Sequence, residues 1–192
     1  IHTVQLAGIC KQVIGLEVRP RNIICALTRV FVHDVPNARF VIRDVRSLDA
    51  SIGPIDIVFH VGVLYHLTDP VSHLMRLATL APDLVLDTHY ASDALPWPPV
   101  VLPWGQQRYR GKVYREAGWH DSFSGVDAAA CWLDRAELLR LLADAGYASV
   151  EVVEDRLERN GPRLTLLARR PAGRNPVLSE NEFQDRERHL QA

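Results

Sequence analysis

The sequence predicts an α/β fold: a mostly parallel sheet with helices on both faces and an antiparallel hairpin at its carboxyl-terminal edge. Three observations predict it. Short apolar runs alternate with helical patterns, which implies βαβ units. Two successive strand-like runs, QVIGLEV and RFVIRDV, finish in or beside an acid, Glu17 and Asp44. The last two strand-like segments, SVEVVED and RLTLLARR, are separated by the turn-forming Arg159-Asn160-Gly161-Pro162, a spacing that permits a hairpin.

Each element has its own signal. HTVQLA, His2 to Ala7, reads as the end of a helix closed by Gly8. After the strand QVIGLEV, Pro20 to about Asp34 has helical spacing in Ile23, Ile24, Leu27, Val30 and Phe31, and Pro36-Asn37 ends it. RFVIRDV, Arg39 to Val45, is the next strand, and the Gly53-Pro54 turn leads to IDIVF, Ile55 to Phe59. That run is apolar apart from Asp56 and short enough to be a strand buried on both faces. The chain leaves the sheet at Gly62. Asp69-Pro70 is a helix-start signal, since the carboxylate can accept orphan amide protons and proline needs no partner at the first helical position. Val61 to Thr68 is therefore a loop at the carboxyl end of a strand, where open α/β sheets bind ligands.

A helix from Pro70 to about Leu80 leads into DLVLDTHY, a strand whose carboxyl end carries Asp87, His89 and Tyr90. From Ala91 to Trp132 the pattern gives way to proline and aromatics, and the expectation is a long functional loop that covers a pocket. In DRAELLRLLADAGY, Asp134 and Glu137 form an expected capping box, the leucines share one face, and Gly146 closes the helix. Residues 171–192 are polar and read as a tail, leaving one domain over 1–170.

Composition bounds the function. The chain has 192 residues, 47% of them hydrophobic, enough for one domain with a full core. A formal net charge of -1 gives no global attraction to nucleic acid or anionic membrane. The three cysteines, Cys10, Cys25 and Cys131, have no metal-like spacing, and an odd number argues against a disulfide framework, so a cytoplasmic setting is expected. No apolar run has transmembrane length. The spacings of His60, His66 and His73 match no ordinary zinc motif, and no metal is expected. The first residue is Ile1, as expected of an excerpt from a longer chain.

Acids at two successive strand ends are placed to serve an adenosine, because one carboxylate can accept both ribose hydroxyls and another the adenine amine. The alternative for each is a solvated turn residue. Combined with GVLYH, the pattern resembles the class I S-adenosylmethionine (SAM)-dependent methyltransferases from about His2 to Arg170. VIGLEV resembles that family's second strand with its ribose-binding acid, Glu17. IRDV resembles the adenine-contacting segment, with Asp44 and the Val45 amide. IDIVFHVGVLYHLTDP resembles the fourth strand and its loop, with His60 contributing through its backbone and Gly62 allowing close approach. GVLYH is similar to the branch containing the tRNA wobble-uridine carboxymethyltransferases and related small-molecule methyltransferases. The family's first strand and glycine-rich loop would precede His2, so the site is expected to be amino-terminally incomplete in this sequence.

The resemblance implies a Rossmann-like methyltransferase sheet, SAM as cofactor and an in-line nucleophile held close to the methyl. For a hydroxyl acceptor a histidine base helps, and His66, His89 and His120 are the candidates. Each also has a plainer reading; His66, for instance, could pack under the loop. Tyr65, Tyr90, Tyr109 and Tyr114 are the expected acceptor-side residues, with packing as the alternative for Tyr65. The leading expectation is transfer to a small molecule, plausibly at oxygen. A tRNA acceptor is the second, because QRYRGKVYR, Gln107 to Arg115, is basic with interleaved tyrosines. A non-catalytic adaptor with the same fold is the third.

Overall fold

The computed structural model describes residues 2–171 and Glu182. The expected tail, beyond Pro171 and Glu182, lies outside the described residues. Internal contacts divide the chain into two compact units, Ile1–Ser51 and Ile52–Ala192.

The first unit runs α1 (His2–Ala7), β1 (Val13–Glu17), α2 (Pro20–Val32) and β2 (Ala38–Ile42). β1 and β2 pair in parallel, with Glu17 opposite Ile42. The βαβ reading of this stretch therefore holds. β2 stops at Ile42, so Asp44 stands beyond the strand end and starts a short 3₁₀ turn, Val45–Ser47.

The second unit contains β3 (Ile57–Val61), α3 (Pro70–Leu80), β4 (Asp83–His89), β5 (Pro99–Trp104), β6 (Gln107–Arg115), β7 (Ala129–Leu133), α4 (Arg135–Asp144), β8 (Ser149–Glu158) and β9 (Gly161–Arg169). One sheet has the order β3-β4-β9-β8. β3 and β4 are parallel, while β9 runs antiparallel to both β4 and β8, so the expected hairpin closes this edge with its last strand inside. Leu74 of α3, Leu84 and Leu86 of β4, Leu141 of α4 and Leu164 and Leu166 of β9 are fully buried. Covering such a leucine contributes about 1.5–3 kcal/mol. Asp69 caps α3 as its sequence predicts, its Oδ1 accepting from the amides of Val71 (3.1 Å) and Ser72 (3.0 Å).

Three expectations are corrected here. The strand expected over Ile55 to Phe59 is β3, Ile57–Val61, and it is not buried on both faces, because Ile57 and Phe59 are exposed. The stretch from Ala91 to Trp132 is not an irregular loop, because its core is a three-stranded antiparallel sheet, β5-β6-β7. Pairing of Trp104 with Gln107 leaves Gly105-Gln106 as a two-residue hairpin turn. In β6 the buried Tyr109 and Gly111 alternate with exposed Arg108 and Arg110, the period of a half-buried strand. Pro99 and Pro103 fit because β5 is an edge strand. The capping box also fails. The Asp134 side chain makes no cap bond, and Glu137 instead accepts from Arg110 Nε (3.1 Å) and Arg140 Nε (3.0 Å). Two guanidinium donors outcompete a single backbone amide for that carboxylate.

Candidate active site

The loop after β3 is held on both flanks. At its start Gly62 has φ +74°, a conformation that glycine adopts without steric cost, and its amide donates to Asp87 O (3.0 Å). Leu64 and Leu67 are buried and anchor the loop from below. β7 fastens it from the side: Trp132 Nε1 donates to Tyr65 O (2.8 Å), and the Cys131 amide donates to Leu67 O (2.8 Å). His66 lies between these two clamps.

The His66 ring is fixed as well. Its Nδ1 lies 2.7 Å from Oε1 of Glu116, a buried carboxylate just beyond β6. The other oxygen of Glu116 accepts from the Gly125 amide (2.9 Å) and from Ser124 Oγ. Burial pushes the Glu116 carboxyl up, but hydrogen bonds from His66, Ser124 and Gly125 outweigh it, and the group lies below its ordinary value. It is therefore ionised at neutral pH. An ionised carboxylate can only accept, so Nδ1 carries a proton, and in the neutral ring the lone pair is then on Nε2. Nε2 has no hydrogen-bond partner among the described residues, and the side chain retains 20% of its exposure.

His89 and His120 have different surroundings. The His89 ring is buried, stacked on Trp132 at 4.7 Å, with Nδ1 donating to Pro162 O (3.1 Å). Burial lowers its pKa, so it stays neutral in an aromatic stack. His120 is exposed in a turn beyond β6. His89 Nε2 stands 3.7 Å from Glu158 Oε2 on a side chain that is only 3% exposed, whereas the oriented His66 ring keeps 20% of its exposure, which makes His66 the more accessible candidate base.

The expected acceptor-side tyrosines divide in the same way. Tyr65 packs edge-on to His89 (4.8 Å) and lies under the Arg163 guanidinium (5.5 Å), with burial raising its hydroxyl pKa. Tyr114 stacks on Trp132 at 5.0 Å and meets Trp97 edge-on at 4.9 Å. These two belong to the aromatic wall that continues from His66. Tyr90 instead donates to Asp155 (2.8 Å), which Arg135 also holds. Tyr109 is placed in the core: it is fully buried, its hydroxyl donates to Asp144 (2.7 Å), and Arg140 covers its ring at 4.3 Å. An alternating strand turns Tyr109 inward, which its basic neighbours concealed.

Asp87 closes the floor of this region. It accepts from Arg156 Nη2 (3.0 Å), Arg163 Nε (2.6 Å) and Thr165 Oγ1 (2.6 Å). Burial raises its carboxyl, but these donors prevail and hold it below the ordinary carboxylate range.

In the first unit, the Glu17 carboxylate stands at the end of β1 with Oε1 accepting from the Arg19 amide (2.8 Å) and Oε2 from Asn22 Nδ2 (3.1 Å). Each oxygen keeps a further lone pair, so the oriented carboxylate fits a ribose diol. Asp44 caps the 3₁₀ turn, accepting from the Arg46 amide (2.9 Å) and gripping the Arg46 guanidinium, which lowers its pKa. The Val45 amide stands at the first position of that turn, where no intrahelical acceptor exists. It is suited to an adenine ring nitrogen. The His60 side chain points into the core, its Nε2 2.8 Å from Nε2 of His73, so only its backbone remains for a ligand.

Sequence reasoning missed Glu116, Ser124 and Gly125. Among the described residues no helix is long and apolar enough to cross a membrane.

No protein-family profile matches the sequence, and no curated protein matches it by sequence. Solved structures do match. The N-terminal domain of EvdMO1 with S-adenosylhomocysteine (SAH) bound is 31% identical with a TM-score of 0.76, over 88% of this chain and 69% of that one. Against EvdMO1 itself the identity is 28% and the TM-score 0.60, over 83% of this chain and 32% of that one, so the chain spans about a third of that protein. The N-methyltransferase NodS from Bradyrhizobium japonicum WM9 is 17% identical over 88% of this chain and 79% of its own, with a TM-score of 0.53, a likeness of fold alone. The identity and coverage with the EvdMO1 domain show that this chain belongs to the class I SAM-dependent methyltransferases.

Proposed function

We propose that the protein methylates a hydroxyl of a small-molecule acceptor, with His66 as general base. The observation that carries this reading is the oriented His66 imidazole with its Nε2 open. Bound SAM supplies an electrophilic methyl on a sulfonium that leaves as neutral SAH. Within the first unit, Glu17 and the Val45 amide are the residues that would take the ribose and the adenine. Toward such an acceptor, His66 Nε2 would take the hydroxyl proton as the oxygen attacks. Tyr65 and Tyr114 shape the acceptor side.

Deoxy sugars head the acceptor list, because a related structure, 31% identical, was obtained in the presence of SAH and D-fucose. The tRNA reading has less support. Arg108 Nη1 donates to Gly105 O (3.0 Å), Arg110 pairs with Glu137 (3.1 Å) and Lys112 Nζ donates to Leu95 O (2.5 Å). These three cations are held by the Gly105 turn, by α4 and by the segment before β5, which leaves exposed Arg115 at the end of β6 to face phosphates. A cytoplasmic setting is part of the same proposal, supported by the free thiols at Cys10, Cys25 and Cys131.

The test is transfer of labelled methyl from SAM by the full-length protein to a panel of deoxy sugars, phenols, amines and bulk tRNA. Label in a sugar or phenol ether supports the reading. Label confined to amines or tRNA rejects it.

A further inference from the structure

We infer that Glu116 is the positioning residue for the His66 base, and that the pair serves an un-ionised hydroxyl acceptor. This rests on the methyl-transfer reading above. An alcohol hydroxyl is a poor nucleophile until its proton is drawn off during attack, whereas a neutral amine already carries an available lone pair. A neutral imidazole serves only if the nitrogen facing the substrate is the bare one.

Glu116 decides which nitrogen that is. It sits 50 residues from His66 in sequence, at the end of a strand of the three-stranded sheet, with its own two oxygens fixed independently. Oε1 takes the Nδ1 proton of His66, and Oε2 is held by the Gly125 amide (2.9 Å) and Ser124 Oγ. The Ala117 amide donates to the same Ser124 Oγ (2.8 Å), so the 117–124 segment is tied at its neck around the carboxylate. Gly125 lies against the His66 backbone: a Cβ there would stand 2.7 Å from His66 O. The carboxylate, the ring and the loop backbone are thus fixed by one cluster.

The arrangement does two things. It keeps the proton on Nδ1, leaving Nε2 as acceptor before the reaction. Once Nε2 has taken the hydroxyl proton, the imidazolium faces a carboxylate held ionised by its own donors, and the new charge is met without rearrangement. Glu116 itself touches no substrate and takes up no proton.

The experiment uses full-length protein with ¹⁵N-labelled histidine, and reads the His66 tautomer by NMR beside kcat, KM and SAH affinity. In the parent, Nδ1 is expected protonated and Nε2 bare. Glu116→Ala is expected to lose that tautomer and to lower kcat on a hydroxyl acceptor by about 10²-fold, with KM and SAH affinity unchanged. Ser124→Ala removes one support but keeps the carboxylate, so it is expected to retain the tautomer and to lower kcat less than Glu116→Ala does. A protonated Nε2 in the parent, or a Glu116→Ala variant with full kcat, overturns the assignment. So does Glu116→Ala losing SAH affinity in step with kcat while the tautomer stays, since that is a structural effect only. The two readings fail separately. A parent with the expected tautomer but no transfer to any hydroxyl refutes the methyl-transfer reading and the catalytic use of the pair, whereas active transfer with Nε2 protonated refutes the Glu116 assignment alone.

Discussion

Nδ1 of His66 lies 2.7 Å from Oε1 of Glu116, joining the loop after β3 to the end of β6. Neither residue makes a base alone: the imidazole supplies the lone pair, and the carboxylate decides where it points. Replacing His66 by Ala is therefore expected to cut kcat by about 10²–10⁴-fold, the usual contribution of general-base catalysis. SAH affinity, measured by calorimetry, should be unchanged.

Gly125 tests the same geometry from the backbone side. Adding a methyl in Gly125→Ala forces the chain away from His66 O, because the contact would be 2.7 Å with a backbone atom that cannot swing aside. The expected cost is about 1–3 kcal/mol of stability, as for other overpacked sites. A fall in kcat larger than the fall in SAH affinity should accompany it, read from steady-state kinetics and thermal unfolding together.

The elements with local signals were legible in the sequence. Asp69-Pro70 starts α3, the acids mark the region beyond β1 and β2, and Arg159-Asn160-Gly161-Pro162 marks the final hairpin, because each depends on neighbours a few residues apart. The β5-β6-β7 sheet was hidden by its chemistry. Arginines on one face of β6 and prolines in β5 read as loop, although Tyr109 and Gly111 already showed the alternation of a strand. Glu116 had no local signal at all. Its meaning comes from a partner 50 residues away, which only the folded sheet brings within reach.

The buried pair His60–His73 predicts an acid-sensitive core. Burial pushes His60 down to about 4 and lowers His73 well below its ordinary value, with His60 and the Arg76 guanidinium adding to the effect on His73. Both rings are neutral in the fold, while an unfolded histidine protonates near pH 6.5. The unfolded chain thus binds more protons as pH falls, so stability is full above about 6.5 and is lost progressively toward pH 4. Asp87 and Glu116, whose folded values are depressed, lose their contributions as pH falls from the ordinary carboxylate range through those lower values. Denaturant midpoints from pH 7 to 4 should fall in the parent. They should fall less steeply in the double variant His60→Phe/His73→Leu, the remaining slope belonging to the buried His89 and the depressed carboxylates.

Tyr109 separates packing from chemistry. Its hydroxyl donates to Asp144 at 2.7 Å from a fully buried ring. Tyr109→Phe is expected to cost about 1 kcal/mol, the net worth of one hydrogen bond. Methyl transfer and SAH affinity should be retained. A selective rise in acceptor KM would instead return Tyr109 to the acceptor side.

The most direct test of the central claim is calorimetric titration of the full-length protein with SAH, beside the Glu17→Gln variant. Gln keeps an acceptor for the Arg19 amide, which lies 2.8 Å from Glu17 Oε1, but removes the charge that a ribose diol would meet. Saturable SAH binding is expected, weakened about 10-fold or more in the variant, as for hydrogen bonds to a charged group. No saturable binding by the folded parent, or equal affinity in parent and variant, would contradict it.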